Sequence, residues 1–126
     1  MKIGDAATQA GVTPRTLRYY EEQGLIEPVR DAAHRAFTLY HVTLVKHIQQ
    51  LKQLGFSLEE IRQITALKKV LFDADGTPRR HHGRIPLSRK QVHALQEKTA
   101  RLKTAIAEQQ GLLKRLEAFL KRSVGR

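Results

Sequence analysis

The chain has no cysteine, an absence that excludes disulfides, a thiol nucleophile and any thiolate metal site. Acidic residues are scarce as well: 12 Asp+Glu stand against 23 Lys+Arg, for a formal net charge of +11. That excess favours a polyanion as partner, either nucleic acid or an anionic membrane surface. No apolar run approaches the ~18 residues of a membrane span, and Met1 to Ala10 is too polar for a signal peptide. A soluble cytoplasmic protein is expected. There is no Gly-rich phosphate loop and no obvious metal-ligand motif, so an enzyme is the poorest reading and no cofactor or metal is expected. With 126 residues, the chain makes one domain, or one small domain plus an extension.

What is present is mostly helical patterning. Ile3, Ala6, Ala7 and Ala10 recur at helical spacing, and Gly11 ends that helix. In TPRTLRYYEEQGLI, Thr13 is placed to cap a second helix, with Pro14 at its first position and Gly24 as its left-handed stop. Only about three residues separate the two helices. Two short helices around a tight Gly-containing turn make the helix-turn-helix pattern, whose second helix enters a DNA major groove.

The second helix sorts into two faces. Leu17 and Tyr20 look inward with Leu25, while Arg15, Thr16, Arg18 and Tyr19 lie on the other side. Guanidiniums, a hydroxyl and a phenol form a set suited to phosphates and base edges. The alternative is a solvated face with Arg15 and Arg18 loosely paired to Glu21 and Glu22.

Pro28 to Tyr40 follows with Arg30, His34 and Arg35 between the apolar Ile26 and Phe37. A short basic loop or hairpin directly after a candidate recognition helix reads as a wing lying against the DNA backbone. Val42, Val45, Ile48, Leu51 and Leu54 then mark a third helix closed by Gly55. Ser57 and Glu60 form a capping box that opens a fourth helix, running to about Leu71, with Phe56 and Ile61 as a hydrophobic staple.

TLRYYEEQGLIEP, the His34-Arg35-Ala36-Phe37 segment and LKQLGFSLEEIRQI, in this order and spacing, resemble the mercury-resistance regulator (MerR) family of bacterial transcription factors. The resemblance covers Met1 to about Leu71. It implies a winged helix-turn-helix DNA-binding domain, a long antiparallel coiled-coil dimer helix, and action on promoter DNA remodelled so that RNA polymerase can engage it. By position it implies DNA contacts from Thr13, Arg15, Thr16, Arg18 and Tyr19, and from His34, Arg35 and Phe37 in the wing. One departure stands out: where the family has Gly-Tyr-Arg-x-Tyr, this chain has Ala33-His34-Arg35-Ala36-Phe37. An easy positive-φ position and a tyrosine hydroxyl are thereby lost.

Beyond the resemblance, Val92, Leu95, Thr99, Leu102, Ile106, Gln109, Leu113, Leu116 and Leu120 alternate steps of three and four. This is a coiled-coil seam, with Thr99 and Gln109 as polar positions that help fix register. A helix from Ser88 to Lys121 is about 50 Å long at 1.5 Å per residue, too long for one small domain to cover, so a second copy is the expected partner. The organisation read from sequence is a DNA-binding domain over 1–72, a basic linker over 73–87 and an antiparallel dimerisation helix over 88–122. Residues 1–72 carry a net +3 and 73–126 a net +8, so most of the basic excess lies outside the DNA-binding domain. In the linker, Arg79, Arg80 and Arg84 are candidates for phosphate contacts. His81 and His82 are weak metal candidates because adjacent histidines do not easily face one ion. The family's metal sensors use cysteines, so no thiolate sensor is expected here, and the chain's length suggests no appended drug-binding domain. The leading reading is a homodimeric, sequence-specific regulator on a palindromic promoter site in the cytoplasm, at the nucleoid, with no effector identified. The alternative is an architectural DNA binder of the same fold.

Overall fold

The computed structural model describes residues 1–31, 34–73, 77–80 and 84–125. Its elements are α1 (Ile3–Ala10), α2 (Pro14–Glu22), β1 (Val29–Asp31), β2 (His34–Ala36), α3 (Leu39–Gln53), α4 (Leu58–Leu71) and α5 (Arg89–Val124). The chain divides into two compact units, Met1–Leu87 and Ser88–Arg126.

The first unit is built around small-residue packing. Ala6, Ala7 and Ala10 give α1 a thin buried face, which lets α2 and α3 approach it closely. Gly11 stops α1 at φ 74°, in the left-handed region that other residues rarely adopt, and Val12 N donates back to Ala7 O at 3.0 Å. Leu17, Tyr20, Leu25 and Ile26 close over this layer, with Val45, Ile48 and Ile61 supplied by α3 and α4. Ser57 caps α4 as its spacing predicts: Ser57 Oγ accepts from Glu60 N at 3.1 Å, and Ser57 N donates to Glu60 Oε1 at 2.8 Å. Phe56 and Ile61, the expected staple, are both buried.

Two boundaries differ from the sequence reading. The third helix begins at Leu39 rather than near Val42, because Thr38 and His41 form its capping pair, which takes Tyr40 out of the wing. The segment after α4 also turns back on itself. Asp73 N donates to Thr77 O at 2.8 Å, Arg79 N donates to Leu71 O at 2.9 Å, and Phe72 bridges Pro78. The first part of the linker is therefore attached to α4. His81, His82 and Gly83 lie outside the described residues.

The second unit is a single helix of 36 residues. Ser88 caps it through a second reciprocal pair with Gln91, at 3.1 and 2.8 Å. An exposed helix of about 54 Å at 1.5 Å per residue has no internal core. Ile106, Leu113, Leu116 and Leu120 are exposed in the isolated protomer, and so are Leu112 and Phe119 beside them.

Candidate nucleic-acid interface

The candidate surface is centred on α2. Thr13 Oγ1 accepts from Thr16 N at 3.1 Å and lies 3.0 Å from Thr16 Oγ1, so these two hydroxyls brace the first turn against each other. With the turn fixed, Arg15 and Arg18 project from the exposed side. Among the described residues neither guanidinium forms an ion pair with an acidic side chain. Two unpaired arginines on a capped helix retain their full donor sets for an external anion.

The two tyrosines take opposite sides. Tyr19 is 44% exposed, whereas Tyr20 is fully buried with its ring 6.2 Å from that of Tyr19. Gln49 on α3 donates its side-chain amide to the Tyr20 hydroxyl, and the Lys52 ammonium stands 6.0 Å above the ring. Burial raises the Tyr20 phenol above its usual pKa, and the neighbouring Tyr19 adds to the rise. Tyr20 thus anchors α2 while Tyr19 faces solvent beside the arginines. The far end of α2 is held from α4, where Arg62 Nε donates to Gln23 O at 3.1 Å and Arg62 Nη2 to Gln23 Oε1 at 2.9 Å.

The hairpin beside α2 is two three-residue strands, paired Val29 with Ala36, Arg30 with Arg35 and Asp31 with His34. Backbone register places His34 and Arg35 on its second strand, as a wing requires. Its tip, including Ala33, where the family's glycine is missing, lies outside the described residues. Two strands of this length are not stable alone, and the structure shows what holds them. Phe37 N donates to Met1 O at 2.8 Å, and the Phe37 ring packs edge-on to His41 at 5.7 Å. His41, also buried, accepts from Thr38 N at Nδ1 (2.9 Å) and donates from Nε2 to Glu27 O (2.7 Å). These partners assign the neutral Nε2–H tautomer.

Phe37 corrects the sequence reading. It is 2% exposed and belongs to the core, because the chain leaves β2 by turning inward to start α3. Without a hydroxyl, its ring can be buried with no unpaired polar atom. The Phe37 ring is therefore packed inside, off the exposed surface that carries the other candidate contacts. His41, Gln49 and Arg62 were missed by the sequence reading. A signal existed only for His41, in the T-x-x-H spacing of Thr38 to His41 at a helix start.

Two family models match the chain: "MerR HTH family regulatory protein" over residues 1–68 and "MerR, DNA binding" over residues 42–119. The chain belongs to the MerR family.

Among its MerR relatives is the HTH-type transcriptional regulator HmrR of Rhizobium leguminosarum bv. viciae. It is 41% identical over 68 residues, covering 53% of each chain. The chain thus spans about half the length of the first relatives it matches. CueR of Salmonella typhi, also an HTH-type transcriptional regulator, is 31% identical over 121 residues, 94% of this chain and 78% of that one. Of solved structures, HiNmlR, a MerR family regulator lacking the sensor domain and bound to promoter DNA, shares the fold. Its TM-score is 0.60 at 24% identity, with 98% of this chain and 94% of that one covered. Among the described residues, no helix is long and apolar enough to cross a membrane.

Proposed function

We propose that the chain is a sequence-specific transcription regulator. It binds double-stranded DNA as a homodimer at a palindromic promoter site in the bacterial cytoplasm, and it acts by distorting the promoter so that RNA polymerase can engage it. The observation that carries this reading is the pair of exposed guanidiniums, Arg15 and Arg18, without an acidic partner among the described residues, on a helix capped at Thr13 and bolted down through Tyr20. Arginine at such a place can clasp a phosphate or pair bidentately with guanine. Thr16 and Tyr19 complete the helix's contribution, and His34 and Arg35 contribute from the wing. The dimer forms through the α5 seam in antiparallel register, which sets the spacing of the two recognition helices along the DNA.

An architectural role is not favoured, since the relatives are transcription regulators. With no cysteine in the 126 residues, any metal response within this chain would not run through thiolates. Selection of bound fragments from the source genome, followed by footprinting, tests the proposal. Protection of one palindromic promoter spacer supports it, and diffuse, sequence-insensitive protection refutes it.

A further inference from the structure

A cavity of about 110 Å³ lies between α3, α4 and the turn that follows α4. One water needs roughly 10–15 Å³ on this measure, so the space suits a small polyatomic ligand. Its walls are unevenly charged. Lys68 and Lys69 come from the last turn of α4, and Arg79 comes from the returning turn, whereas Asp73 is the one acid among the lining residues. Asp73 is engaged by Arg79 at 3.1 Å. Three cations against one carboxylate leave two positive charges in excess.

The partners of these cations are the telling feature. Lys68 Nζ donates to an imidazole, His47 Nδ1 at 3.4 Å, rather than to a carboxylate. Among the described residues Lys69 has no partner, and Tyr40, which also lines the cavity, makes no side-chain hydrogen bond. Lysines in the last turn of a helix complement its dipole, which accounts for Lys68 and Lys69. It does not account for Arg79, which main-chain hydrogen bonds carry back to the same cavity.

We propose that this cavity binds a small oxyanion of the phosphate class, separately from the α2 surface. Lys68, Lys69 and Arg79 supply the charge-assisted donors, Tyr40 adds a neutral donor, and Phe72 contributes an apolar side to the lining. An occupant would join the turn carrying Arg79 to the end of α4, stiffening the start of the linker. A phosphate monoester and a DNA backbone phosphate share this chemistry.

The test uses the full chain and inorganic phosphate, titrated by calorimetry against sodium chloride at matched ionic strength. Wild type is expected to bind phosphate. Lys69→Glu should weaken it by about ten-fold or more, the scale of one lost charge-assisted hydrogen bond, and Asp73→Asn should tighten it. Lys69 and Asp73 are exposed, and circular dichroism verifies that both variants fold; Arg79→Gln gives an independent loss. Duplex DNA separates the sources. If Lys69→Glu loses phosphate but keeps its DNA affinity, the ligand is a free phosphate-bearing molecule. If both fall together, the phosphate is DNA's own. Phosphate binding no stronger than chloride, or equal in all variants, overturns the proposal.

Discussion

His41 on α3 donates from Nε2 to the carbonyl of Glu27, 14 positions earlier, while its Nδ1 accepts from Thr38 N. One buried ring therefore grips the chain on both sides of the hairpin, before β1 and after β2. Replacing His41 by Ala takes the hydrogen-bond partner from a part-buried carbonyl and from a helix-start N–H. Stability should fall by roughly 2–3 kcal/mol, the scale of such losses, as measured by urea unfolding. Hydrogen exchange should quicken first across Val29–Ala36; a loss below about 0.5 kcal/mol would deny His41 this role.

Tyr20 makes a prediction at the alkaline end. Burial, with Tyr19 beside it, raises the phenol's pKa in the folded state above the ordinary 10.0. Between the unfolded and folded values the native state holds the extra proton, so stability declines as pH rises above about 10. Below that range the phenol is protonated in both states and contributes no slope. Tyr20→Phe should remove this part of the alkaline decline while lowering neutral-pH stability by about 1 kcal/mol through the lost Gln49 bond. Unfolding curves from pH 8 to 11 decide it; an unchanged slope in the variant would refute the assignment.

At the proposed interface, Arg18→Ala should reduce operator affinity by at least ten-fold, within the roughly 1–3 kcal/mol of a good arginine contact. Because Arg18 is exposed and unpaired among the described residues, its removal should move the melting temperature by no more than about 2 °C. Wild-type affinity should also fall steeply with salt, since neutralised phosphates release their counterions. Fluorescence anisotropy across salt concentrations reads both effects. Unchanged affinity in the variant, or a flat salt response in wild type, would remove Arg18 and its neighbours from the DNA.

The parts of this fold that were legible in sequence are those specified locally. Gly11, Thr13, Pro14 and Gly24 act within a turn of their own positions, and Ser57 with Glu60 needs only a spacing of three, so spacing alone located α1, α2 and α4. The division of Tyr19 from Tyr20 also followed from helical period. Phe37 was misread because resemblance gives a position in a family motif, while the direction of a side chain depends on where the chain goes next. Arg62 and Gln49 could not be found by local reading at all: their partners, Gln23 and Tyr20, lie 39 and 29 residues away. The anchors that hold α2, the proposed recognition helix, are long-range contacts, and only the surface they present had a local signature.

The coil gives the remaining prediction, and here the structure refines which polar residue matters. Thr99 Oγ1 donates to Leu95 O at 2.8 Å, so this seam hydroxyl is satisfied inside its own helix and can present its methyl to a partner. Gln109 has no such bond among the described residues, which leaves it as the polar group that a second helix would have to accommodate in the proposed dimer. Leu113, 54% exposed in the protomer, sits four residues on in the same seam. Leu113→Glu should place two buried charges in the proposed dimer and yield monomers in sedimentation experiments. Gln109→Leu should do the reverse, strengthening association while relaxing register, since a polar seam residue fixes alignment at the expense of stability. If Leu113→Glu stays dimeric and Gln109→Leu is indifferent, the contact between copies lies elsewhere than the seam. The two proposed recognition helices would then need another element to set their separation on DNA.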